Sequence, residues 1–178
     1  MSALGWVETL VSGQADGPNV TTNGADTSML PTPAVFLLPG NFIEKIGKVF
    51  RIEAWGKITT TAAGTLTITV YFGAVKVFTS SAYTVVTTLT NLTFEIEIML
   101  TARTLGSGTA TTLMGVGRIV SGIFGAAGAV TTFMMPTSAP VVGTGFDSTA
   151  SQLIDLRANF SLTGQTLVCN EYTLESMN

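Results

Sequence analysis

Glu95 and Glu97 stand two residues apart in TFEIEIML, a spacing that puts two carboxylates on one face of a strand. Paired carboxylates hydrolyse glycosides when a cleft holds the sugar between them. Nothing in the flanking sequence marks a cleft, so the pair reads as a solvated face opposite Arg51, Lys57 or Arg103. Asp16, Asn19 and Asp26 carry oxygen ligands, but a calcium loop needs alternate ligands and a closing Glu, which this spacing lacks. MGVGR (114–118) lacks the Lys-Ser/Thr of a phosphate loop, and its glycines fit relief of crowding in a strand. Cys169 is the single cysteine, and the chain has no histidine to activate it as a nucleophile. It reads as a small apolar filler. The expectation is a protein with no catalytic, cofactor or metal residues, and not an enzyme.

Those residues would be positioned by strands. From Pro33 onward the hydrophobic period is two. Phe50, Ile52, Ala54, Gly56 and Ile58 alternate with Val49, Arg51, Glu53, Trp55 and Lys57. Leu66 to Phe72, Phe94 to Ala102 and Ile154 to Leu162 repeat the pattern, the second of these with Glu95, Glu97 and Met99 on the opposite side. Alternation of β-branched and aromatic residues makes a sheet with one buried and one open face. Breaks at PGN 39–41, AAG 62–64, GSG 106–108 and TGQ 163–165 separate about eight strands: 33–38, 47–60, 65–72, 75–79, 91–104, 110–121, 151–162 and 166–175. The fold class expected is all-β: a two-sheet antiparallel β-sandwich, jelly-roll-like, with an extended N-terminal arm. A closed up-and-down barrel is the alternative.

Residues 1–32 form the arm and 33–178 the sandwich domain. The arm is rich in Gly, Asn, Asp, Thr and Pro and has no period. Before its polar part, Leu4, Trp6, Val7, Leu10 and Val11 include i,i+4 pairs that allow a short helical turn. Such a segment does not fold alone, so Trp6 and Leu10 are expected to dock on their own domain or on a partner. An extended arm of this length reaches on the order of 100 Å, enough to bridge neighbouring copies.

The 178 residues suit one domain, and 46% of them are hydrophobic. Only 11% are charged, against about 25% in an ordinary soluble domain. So few charges protect a surface poorly against association, which points to a surface covered by other protein. Net charge is −3, with eight basic residues scattered among eleven acidic ones, so nucleic acid is not an expected partner. The apolar run 119–135 is 17 residues long and rich in Gly, Ala and Thr, too short for a membrane span. Segment 122–146 carries Ile123, Phe124, Val130, Phe133, Met134 and Met135 with no charge. It is expected to line a homotrimer axis or a contact with a partner. Trp55, outward on its strand, is expected to be covered by a subunit or sheet contact, or to serve as a stacking platform for a ligand.

GKVFRIEAWGKITTTAAGTLTITVYFG (47–73), with LTARTLGSGTATTLMGVGR (100–118) and LVCNEYTLE (167–175), resembles small β-sandwich virion proteins of tailed bacteriophages. The resemblance spans about 33–176. It implies a structural role: a head decoration, or cement, protein bound to the outer surface of the major capsid protein, in the virion. The same texture occurs in tail and head-fibre-base proteins. A carbohydrate-binding module using Trp55 or Tyr71 is the reading from a different class.

Overall fold

Val, Ile, Phe and Thr at alternate positions favour the extended backbone, and turn residues cut it into segments. The computed structural model describes residues 6–177 apart from Gln14 and Thr22. Among the described residues there are twelve strands: β1 (Val7–Ser12), β2 (Thr27–Ser28), β3 (Phe36–Leu38), β4 (Val49–Thr60), β5 (Gly64–Phe72), β6 (Val75–Thr79), β7 (Tyr83–Val85), β8 (Leu89–Thr104), β9 (Thr112–Ser121), β10 (Thr131–Met135), β11 (Gln152–Phe160) and β12 (Gln165–Met177). Single 3-10 turns lie at Thr32–Ala34, Gly122–Phe124 and Ala126–Gly128.

One sheet has the order β1-β12-β4-β8-β9-β10. The other has the order β2-β11-β5-β6, with β3 also on β11 and β7 also on β5. The pairings are antiparallel, and the two sheets pack as the expected β-sandwich. β4 and β5 follow one another across the sheets, as do β11 and β12. β4 pairs with β12 in the first sheet, and β5 with β11 in the second. This double crossing is the jelly-roll-like feature. Between the two crossings, β8, β9 and β10 run as a meander within the first sheet.

The inward positions of both sheets fill the core. Phe50, Ile52, Ile58, Phe94 and Ile96 meet Leu66, Ile68, Phe72, Leu156 and Phe160, all inaccessible to solvent. Burying each of these is worth roughly 1.5–3 kcal/mol. Phe50 stands edge-on to Phe72 at 5.8 Å, and Phe72 meets Phe146 at 5.0 Å. Some inward positions need glycine, Gly56 and Gly115 among them. A Cβ on Gly56 would lie 2.0 Å from Val168 O, and one on Gly115 would lie 2.2 Å from Phe78 Cδ2.

The eight expected strands are all present, with ends shifted by a few residues. β1 replaces the helical turn expected at Trp6–Val11; Leu4 of that pattern lies outside the described residues. The edge of β12 offers main-chain partners that a short isolated helix lacks. The N-terminal segment is extended, but it lies along its own sandwich. Val20 N donates to Leu167 O at 2.9 Å, and Met29 N to Leu156 O at 3.0 Å. Val20, Met29 and Leu30 are buried, so packing is continuous across 32/33.

A polar clasp fastens this segment. Lys76 Nζ lies 2.6 Å from Asp26 Oδ2, and Tyr71 Oη donates to the same oxygen at 2.7 Å. Asn159 Nδ2 reaches Asp26 Oδ1 at 3.4 Å. Alongside, Ser28 Oγ donates to Asp155 Oδ1 and Arg157 Nε to Asp155 Oδ2, each at 2.7 Å. The Arg157 guanidinium covers the Tyr71 ring at 4.1 Å. Burial alone would raise the Asp26 pKa. The hydrogen bonds from Lys76 and Tyr71, with the Lys76 charge, reverse that and hold it below the usual carboxylate value. The bond to Asp26 holds the Lys76 ammonium above its usual value.

Candidate interaction surface

The outer face of the first sheet collects most of the residues whose types could bind or react. Alternation sends Val49, Arg51, Glu53 and Trp55 of β4 outward, with Glu95, Glu97, Met99 and Thr101 of β8 and Met114, Val116, Arg118 and Val120 of β9. A bulge between Cys169 and Glu171 sets the phase of β12, so Glu171, Thr173, Glu175 and Met177 join them.

Register arranges these in rows across the strands. One row runs Met177, Val49, Thr101, Met114, and the next Glu175, Arg51, Met99, Val116. A third runs Thr173, Glu53, Glu97, Arg118, Met134, and a fourth Glu171, Trp55, Glu95, Val120, Thr132. The face therefore divides. The β8–β9 side of the first two rows, continued by Met134 of the third, is largely apolar and rich in methionine. The remainder carries Arg51 and Arg118, each held between carboxylates.

Arg118 Nε lies 3.2 Å from Glu97 Oε2, and its Nη2 lies 3.0 Å from Glu95 Oε1. Arg51 Nε donates to Glu175 Oε2 at 2.9 Å, and its Nη1 stands 3.7 Å from Glu53. The hydrogen bond to Glu175 holds the Arg51 pKa above its usual value. Glu95 and Glu97 thus share one guanidinium on an open sheet, and no cleft separates them. The cation between them is Arg118, where the sequence suggested Arg51, Lys57 or Arg103. A shallow depression lined by Glu97, Met99, Val116, Arg118 and Met134 lies over this junction. Its floor is apolar and its rim ionic.

The residues expected to form the interaction surface fall in three places. Trp55 and Met134 lie on this face, Trp55 half-buried and Met134 62% exposed. Trp6 is 54% exposed beside β1, and Leu10 is half-buried at the bulge in that strand. Ile123 and Met135 are buried in the molecule's own core, and Phe124 and Phe133 rest partly on it. Phe133 stacks on Tyr83 at 5.2 Å and meets Phe124 edge-on at 5.2 Å. Burial pushes the Tyr83 phenol up to about 12, and its Oη donates to Met134 O at 2.7 Å. So Ile123 and Phe124 pack inward from their 3-10 turn, and in β10 pairing with β9 and alternation turn Phe133 and Met135 to the core. Met134, Val130, Val141 and Val142 stay exposed.

Met99, Met114, Val116 and Met177 belong to the surface although the sequence did not single them out. For Met99 the signal was available, since it alternates in phase with Glu95 and Glu97. In β9 the inward positions include Gly115 and Gly117, which leave the outward residues looking like the apolar set.

No protein-family model matches the chain, and no curated protein matches it.

The other reactive candidates are structurally engaged. Cys169 is buried, its thiol pushed up to about 12 by burial, and it donates to Glu171 O at 3.2 Å. Asp16 accepts from Asn170 Nδ2 at 2.9 Å, and Asp26 is filled by the clasp. Among the described residues no helix is long and apolar enough to cross a membrane; the 119–135 run forms the end of β9, two 3-10 turns and β10.

Proposed function

We propose that the protein is a structural component of a tailed-bacteriophage virion. In this reading it is a head decoration protein that seats the outer face of its six-stranded sheet on the major capsid protein and stabilises the shell. A homotrimer on the capsid surface is the favoured arrangement, since identical chains usually close with point symmetry. The observation that carries the reading is the methionine-rich half of an open sheet face. Six strands about 4.8 Å apart and seven residues at about 3.4 Å each give a face on the order of 700 Å² in projection, of which the apolar half is roughly 300–350 Å². Apolar area of that order on a monomer marks an interaction site. Methionine fills irregular gaps against a partner, and ion pairs at the rim fix register. The resemblance in 47–73, 100–118 and 167–175 supplies the particle. Tail or fibre-base proteins share that texture.

The test is co-sedimentation with undecorated capsid shells. Met99→Asp and Met134→Asp place new charge in the apolar half without touching the core. Each should weaken binding at least tenfold while the β-rich circular dichroism signal persists, a loss equal to about 1.4 kcal/mol. Binding unchanged in both variants refutes this face as the contact.

A further inference from the structure

β1 is the outermost strand of its sheet, and none of its six residues is fully buried. It is held by main-chain pairing to β12, interrupted by the bulge at Leu10, with Leu10 and Val11 resting partly on the core. The contacts that follow are of the same kind. Gly13 N donates to Tyr172 O at 2.6 Å, and Gly17 N to Cys169 O at 2.7 Å. Full burial begins at Val20, and Met29, Leu30 and the Asp26 clasp then anchor the segment firmly.

β12 differs sharply from β1. Cys169, Tyr172, Leu174 and Ser176 are all buried, so β12 is fixed in the sandwich. Without a neighbour its outer edge would present a row of unpaired N–H and C=O groups. The edge needs a strand, and β1 of an identical chain makes the same bonds as the molecule's own. The eight steps from Ser12 to Val20 span about 27 Å when extended, enough to reach an adjoining copy. That stretch includes Gly13, Gly17 and Pro18, which suit a crossing segment.

We propose that β1 is exchanged between copies, so that β1 of one chain completes the sheet of a neighbour along β12. The β1–β12 bonds are conserved on exchange, and the main-chain bonds given up are those of Gly13 and Gly17 in the crossing stretch, which makes it a low-cost route to a closed pair or ring. This inference does not depend on the capsid reading, because chains that exchange β1 need not bind a shell.

Val7 pairs with Met177 in the β1–β12 register, and Val7 is exposed. The test uses two separate full-length proteins, Val7→Cys and Met177→Cys, mixed at high concentration and then oxidised. Exchange predicts covalent heterodimers linked 7–177, identified by peptide mass spectrometry, in excess over 7–7 and 177–177 links. A mixture with no such excess overturns the proposal. Light scattering on the unmodified chain is the second measurement. Exchange predicts at least a doubling of molar mass on concentration and a slow return after dilution. A monomer at every concentration overturns it.

Discussion

Lys76 Nζ on β6 lies 2.6 Å from Asp26 Oδ2, so a cation of the second sheet holds the N-terminal segment against it. Lys76 is 42% exposed in its side chain, which screens the charge attraction. The phenol of Tyr71 and the amide of Asn159 add to the same carboxylate. Asp26→Ala should therefore cost about 1–3 kcal/mol in urea denaturation, chiefly from the hydrogen bonds. A variant as stable as the parent would mean that the segment is held by Val20, Met29 and Leu30 alone.

The clasp also sets a pH signature. Asp26 titrates below its usual value of 3.8 when folded, so its contribution is full above 3.8 and is lost as pH falls through the lowered pKa. Lys76 titrates above its usual 10.5, so its contribution is full below 10.5 and is lost as pH rises through the raised pKa. Stability should be flat from about pH 5 to 9 as far as these two groups decide it. Asp147, held low by Thr149, also contributes to acid loss. The difference between the parent and Asp26→Asn isolates the clasp. Asp26→Asn should lose stability less steeply below pH 4. Parallel acid profiles would rule Asp26 out.

Gly56 faces the core where a Cβ would meet Val168 O at 2.0 Å and the Phe94 ring at 2.7 Å. The backbone cannot yield without shifting β12. Gly56→Ala should destabilise by about 2–3 kcal/mol, at the upper end of overpacking costs. Thermal melting checks this, and a loss near zero would mean that β4 and β12 separate easily.

Phe133 and Met134 are adjacent on β10 but face opposite ways. Phe133→Ala should cost about 1–3 kcal/mol, less than a fully buried phenylalanine, because it opens the cluster with Tyr83 and Phe124. Met134→Asp should change stability by about 0.5 kcal/mol or less, as surface substitutions do. Urea denaturation of both variants decides. Equal losses would contradict the alternation assigned to β10.

The strand periodicity was legible wherever both faces carried contrasting residues, as in β4 and β8. In β9 the strand was expected, but Gly115 and Gly117 at inward positions hid which of its faces turns outward. β1 and β10 were unreadable for another reason. Both are edge strands whose existence depends on a neighbour's unpaired backbone, and a local pattern cannot register that. Trp55 and Met134 were recognised as surface residues, but Ile123 and Met135 were not recognised as core. An uncharged run does not say which of its side chains alternate inward. Arg118 as the partner of Glu95 and Glu97 followed only from the β8–β9 register.

The copy number of this chain in purified virions tests the proposed role most directly. Quantitative mass spectrometry against the major capsid protein gives the ratio. A decoration protein is expected at a number comparable with that of the capsid subunits, and it should be lost from Met134→Asp particles. Absence from the particle, or only a handful of copies per virion, would contradict it.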